Sequence, residues 1–89
     1  MTLIYNPSAF KHGIDEIDIE TAMATALFDE LMEGFDNKYL LIGFDRNRNF
    51  IEVMYNLIDE NTFNIFHAMK CRKAVLKKLE RGSNYADFN

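Results

Sequence analysis

A single cysteine, Cys71, has no partner for an internal disulfide, so a reducing compartment, the cytoplasm, is expected. No apolar run approaches the ~20 residues that a membrane-crossing helix needs, and no membrane association is expected. The first residues lack the charged start and long apolar stretch of a signal peptide. There is no glycine-rich phosphate loop, no nucleophile elbow and no zinc-type spacing of His and Cys. Two histidines far apart in the chain, His12 and His67, make no metal signature, so neither metal nor cofactor is expected. Repeats, low-complexity tracts and linkers are missing as well.

What is present is apolar and bipolar. The 89 residues make one domain, and an apolar fraction of 48% with eight Phe and four Tyr argues for a packed core and against disorder. A domain this small is marginal alone, which leaves room for a stabilising partner. Net charge is −4, which by itself speaks against nucleic acid. The distribution speaks otherwise. Between His12 and Asn37 every charged side chain is acidic, whereas Lys70, Arg72, Lys73, Lys77, Lys78 and Arg81 crowd the C-terminal part with only Glu80 among them. Such a basic patch can hold phosphate despite an acidic total.

Patterning predicts an α+β domain. Residues 2–5 read as a short strand, broken by Asn6-Pro7-Ser8, with Ser8 capping a helical turn. Asp15 reads as the N-cap of a long amphipathic helix with Ile19, Ala22, Met23, Ala26, Leu27 and Leu31 on its buried side and Gly34 at its end. Three strands follow, at 39–44, 50–58 and 63–69, joined by short turns that imply an antiparallel meander. A last helix is expected at about 70–80, stopped by Gly82, with Tyr85 and Phe88 of the tail tucked against the body. The expected architecture is thus an antiparallel sheet of three to four strands with N-terminal helices and a C-terminal helix.

Pairing Phe44 with Phe50 and Ile58 with Phe63 sorts the sheet into two faces. Tyr39, Leu41, Ile51, Val53, Tyr55, Leu57 and Phe66 form the expected core under the long helix. Leu40, Ile42, Phe44, Phe50, Glu52, Met54, Ile65 and His67 form a second face too apolar to stay bare. The C-terminal helix, a second copy or a partner must cover it. In this register His67 opposes Met54, with Glu52 diagonal to it.

His67 is the leading candidate for proton transfer, with Glu52 beside it and Lys70, Arg72 and Lys73 following. Arg72 and Lys73 are expected in the first turn of the last helix, where backbone N–H groups favour an anion and a cation is misplaced for stability; a phosphate would reconcile the two. Arg46 and Arg48 sit in a hairpin turn, and Lys11-His12-Gly13 precedes the long helix. Cys71 falls on an apolar stripe and reads as a packed residue.

The order of these features resembles a known pattern. Lys11-His12-Gly13-Ile14 opens an acidic helix; a strand ending at Gly43, an Arg-bearing turn and a further strand follow; a last strand runs through His67 into Ala68-Met69-Lys70-Cys71-Arg72-Lys73-Ala74. This is similar to the BrnT/RelE-like toxins of bacterial type II toxin–antitoxin systems, and Glu80-Arg81 and Tyr85 echo the end of that pattern. The resemblance implies a RelE-like ribonuclease fold, metal-independent RNA cleavage without a cofactor, and inhibition of translation. It implies a cognate antitoxin as partner and RNA (free or on the ribosome) as substrate; a second copy of the chain remains a candidate partner from the apolar second face alone. On that reading His67, Arg72 and Glu52 are the catalytic candidates. Lys73, Arg46, Lys70, Lys11 and His12 are the RNA- or phosphate-binding candidates, the last two by motif position alone. A non-catalytic interaction or RNA-binding domain of the same fold is the alternative.

Overall fold

The structure, a computed structural model, describes residues 1–83. The expected positions of Tyr85 and Phe88 lie outside the described residues. The fold is α+β. A mixed five-stranded sheet is built from β1 (Thr2–Tyr5), β2 (Phe28–Leu31), β3 (Tyr39–Phe44), β4 (Phe50–Asp59) and β5 (Thr62–Lys70), in the order β1-β5-β4-β3-β2. A 3₁₀ turn, Pro7–Phe10, follows β1, helix α1 covers Glu16–Ala24, and helix α2 covers Lys73–Ser83.

The meander holds for β2 to β5, which pair antiparallel through short connections. The wholly antiparallel sheet does not. β1 lies parallel to β5, with Tyr5 beside Ile65. No tight turn joins these two strands, so nothing in the chain forces them to oppose. The direction is set where β1 ends: Asn6 N donates to the Ile65 carbonyl (2.8 Å) and Ser8 Oγ to that of Phe66 (2.6 Å).

The long helix is a second correction. It stops at Ala24, and residues 28–31 form the edge strand β2. Thr25 makes the break. Its Oγ1 bonds back to the Thr21 carbonyl (2.7 Å) and accepts the Phe44 N–H (2.9 Å), docking the helix end on β3. Leu27 N then donates to the Ile42 carbonyl and opens a new ladder. Without β2, strand β3 would leave a row of backbone groups unpaired on an apolar edge. Leu27 and Leu31, assigned by spacing to a buried stripe, are about half exposed instead. Gly34, at φ +85°, serves the β2–β3 turn and not a helix end.

One face of the sheet packs under α1. Ile19, Ala22 and Met23 meet Leu41, Ile51, Val53, Tyr55, Ile65 and Ala68 in a single buried cluster. Ile65 takes the core place expected for Phe66. The expected register holds from Phe44↔Phe50 through Met54↔His67, then slips by one so that Tyr55 faces Ile65 and Leu57, not Ile58, faces Phe63. Phe66 is the extra residue of this bulge, and a bulge reverses which side chains point inward beyond it.

On the second face Leu40 and Ile42 are also buried. Helix α2 reaches this face: Lys78 Nζ stands 5.7 Å from the ring centre of Phe28, the cross-strand neighbour of Ile42, and lines a groove with Leu40. Leu76 and Leu79 of α2 line a groove of about 400 Å³ with Phe50. Helix α2 starts at Lys73, later than expected, because β5 keeps pairing to Lys70 and Cys71 N still donates to the Phe50 carbonyl. Gly82 lies inside it and does not stop it.

Gly43 sets the distance between α1 and the sheet, since a Cβ there would overlap the Ala22 backbone carbonyl. Gly43→Ala is therefore expected to cost at least about 1–3 kcal/mol, the range for overpacking a closed core. Urea unfolding measures it, beside Ile17→Ala at an exposed position of α1, where little change is expected.

Candidate functional site

β4 carries Glu52 into the second face, between Ile51 and Val53, where its side chain has no exposed surface. A carboxylate in that position must be paired or give up its charge. Four donors meet it. Arg72 N and Nε donate to Oε1 at 3.0 and 3.1 Å, Arg72 Nη2 donates to Oε2 at 2.7 Å, and His67 Nε2 lies 2.9 Å from Oε2. Burial pushes the Glu52 pKa up, but the bonds from the Arg72 side chain and backbone and from His67 outweigh it. The carboxyl is held below its ordinary value. The same bonds hold the Arg72 guanidinium above its own.

This geometry accounts for the cation at the helix start. Arg72 immediately precedes α2, and its carbonyl accepts from Val75 N and Leu76 N. Its charge answers the buried Glu52, so no bound phosphate is needed to explain it. Half of the Arg72 side chain (52%) still faces outward. Glu52, by contrast, reaches no solvent, and its lone pairs are taken. It holds the other groups and is not placed to touch a substrate.

His67 is 19% exposed at its side chain. An ionised Glu52 only accepts, so the proton at this contact is on His67 Nε2, and in the neutral ring Nδ1 carries the lone pair. Nδ1 has no hydrogen bond among the described residues. The second histidine, His12, lies beside it, edge to face, with ring centres 5.5 Å apart. Two features bring it there. The 3₁₀ turn before it is fastened to β5 through Ser8 and Phe66, and Gly13 at φ +82° lets the chain bend away to α1.

The remaining candidates are dispersed. Arg46 donates to Asp18 (Nε to Oδ1, 2.8 Å) and Asp15 (Nη2 to Oδ2, 2.8 Å), clasping the β3–β4 turn to the start of α1. Its guanidinium is thus committed to these carboxylates and not to the cluster, and it holds the Asp18 carboxyl below its ordinary value. Lys70 sits opposite Ile51, on the core side of the register and not the His67 side. Lys73, exposed, opens α2 beside the Phe50 groove, and Lys11 is exposed next to His12. Burial pushes the Cys71 thiol up to about 11, which leaves little thiolate at neutral pH. Among the described residues no group of three or more His, Cys, Asp and Glu is arranged to hold a metal ion, and no helix is long and apolar enough to cross a membrane.

The cluster thus offers one imidazole oriented by a buried carboxylate, a second imidazole beside it, and a half-free guanidinium. Proton transfer next to an anion is the chemistry within its reach. No family model matches the chain, nor does any curated protein.

Arg72→Ala leaves a buried carboxylate short of its main partner and is expected to cost about 3 kcal/mol, the low end for breaking a buried pair. Glu52→Gln is expected to cost less at neutral pH, because the groups it releases can reach water. Since the folded Glu52 pKa is depressed, its contribution is complete above about pH 4.3, the unfolded value, and is lost as pH falls through the folded value. The stability gap between wild type and Glu52→Gln should therefore close on acidification in denaturant titrations run from about pH 7 to about pH 3.

Proposed function

We propose that this chain is the toxin of a bacterial toxin–antitoxin pair, a metal-independent endoribonuclease of RelE-like fold that inhibits translation in the cytoplasm. The observation that carries the reading is the convergence of His67 Nε2 and Arg72 Nη2 on one buried oxygen, Glu52 Oε2. RNA brings its own nucleophile, the ribose 2′-OH. Cleavage then needs a base for that hydroxyl, an acid for the departing 5′-oxygen, and cations for the charge that develops on phosphorus. In this reading His67 moves the proton, the outer edge of Arg72 meets the phosphate, and Glu52 positions both. Lys73, Lys70 and Lys11 supply general attraction to the backbone, which weakens with salt. The chain-order resemblance to BrnT-type toxins adds the biological setting: a cognate antitoxin as partner and RNA, free or on the ribosome, as target.

A second reading has its own observation. A fully buried carboxylate with four donors is also what a purely structural pin between a sheet and a helix requires, and the net charge of −4 does not favour RNA. On that reading the domain binds a partner protein or RNA without turnover.

Tightly induced expression in a bacterium, paired with cleavage of end-labelled RNA by purified protein in excess chelator, separates the two. The toxin reading expects growth arrest and cleavage by wild type. It expects both to be lost in His67→Ala and reduced about 10²-fold or more in Arg72→Lys, which keeps a charge beside Glu52 but loses the fork. Folded, soluble wild-type protein that neither arrests growth nor cleaves RNA would leave the interaction domain as the reading.

A further inference from the structure

We infer that His12 is the general acid of the site, and that the two histidines divide the proton transfers of RNA cleavage between them. This deepens the ribonuclease reading above and rests on it. The inference starts from the ring contact: His12 and His67 lie 5.5 Å apart, centre to centre, although 54 residues separate them along the chain. His12 is exposed, and its ring has no hydrogen bond among the described residues, so no structural duty is visible for it. The effort spent in holding it is nonetheless considerable. Ser8 fastens the preceding turn to the backbone of Phe66, the residue next to His67, and Gly13 takes a positive φ immediately afterwards.

The environments of the two rings assign their roles. Glu52 accepts from His67 Nε2, which selects the neutral tautomer with its lone pair on Nδ1 and stabilises the imidazolium that forms when Nδ1 takes a proton. His67 is therefore the base. Among the described residues His12 has no carboxylate bonded to it to perform that service, and in its imidazolium form it is a donor beside the same phosphate. Rings this close can flank one phosphodiester, each within hydrogen-bond reach, about 2.6–3.2 Å, of an apical oxygen. In the step, His67 Nδ1 removes the 2′-OH proton and O2′ forms a bond to phosphorus. The P–O5′ bond breaks, and His12 delivers its proton to O5′. The products are a 2′,3′-cyclic phosphate and a 5′-hydroxyl. No water, metal or redox partner enters, and proton exchange with solvent resets both rings. The exposed edge of Arg72 faces the non-bridging oxygens, where negative charge develops.

A bridging 5′-phosphorothiolate linkage tests this directly, because a thiolate leaves without needing a proton. Wild type, His12→Ala, His12→Gln and His67→Ala are compared on short RNAs of one sequence carrying either the oxygen or the sulfur linkage, with circular dichroism to confirm folding. The expected result is a loss of about 10²–10⁴-fold on the oxygen linkage for both His12 variants, the range for a missing general acid. On the sulfur linkage those variants return close to the wild-type rate, while His67→Ala stays slow on both. Equal losses on the two linkages for His12→Ala, or no loss on the oxygen linkage, would overturn the assignment while leaving the ribonuclease intact. No cleavage of either RNA by wild type would instead remove the ribonuclease reading, and this one with it.

Discussion

A carboxylate buried without solvent contact is an expensive thing for an 89-residue domain to keep, and Glu52 is kept ionised. The protein meets the cost with four hydrogen bonds, and these bonds decide where several elements go. β5 must present His67 diagonally across from Glu52, so the register of β4 and β5 is fixed in that half of the hairpin. Arg72 must stand where both its backbone and its fork can reach the carboxylate, so α2 starts after it. The helix then reaches the face where the charge lies, with Lys78 beside Phe28 and Leu40. Removing Arg72 leaves the buried carboxylate short of its main partner, whereas the groups that Glu52 releases can reach water.

The opposite face is governed by volume and not by charge. Gly43 admits α1 to the sheet at a distance no side chain would permit, and Ile19, Ala22 and Met23 fill the space against β3, β4 and β5. The Arg46 clasp to Asp15 and Asp18 ties the N-terminal end of that helix to the β3–β4 turn, at partly exposed positions where water screens the ion pairs. One face thus holds the main apolar cluster, and the other holds the buried carboxylate and its donors. The bulge at Phe66 serves both: it turns Ile65 into the core and leaves His67 on the Glu52 side.

Several of these arrangements were legible before any coordinates. Phe44 opposite Phe50, Met54 opposite His67, and Glu52 near His67 follow from alternation and turn length. The long helix did not survive, because Leu27 and Leu31 fall at helical spacing by accident and short apolar runs fit either period. The need of β3 for an edge partner is a tertiary fact and overrode the local pattern. Arg72 carried a readable signal that pointed two ways. A cation at a helix start can mark a bound anion or a buried carboxylate, and the lone acid in Phe50-Ile51-Glu52-Val53-Met54 was the clue to the second. Arg46 looked equally available in sequence, and only the proximity of Asp15 and Asp18 shows it engaged.

The sequence by itself determined the class of fold, the strands β3 to β5, the N-cap at Asp15, the two-faced sheet and the bipolar charge. Each of these rests on neighbours a few residues apart, through periodicity, capping and turn chemistry. Only the tertiary structure decided the parallel seating of β1, the conversion of residues 28–31 into a strand, and the meeting of His12 with His67. Those depend on contacts between distant segments, such as Ser8 with Phe66 and Thr25 with Phe44, which no local pattern encodes. Hydrogen bonds and packing across the sheet, and not propensity along the chain, are what place two distant imidazoles beside one another.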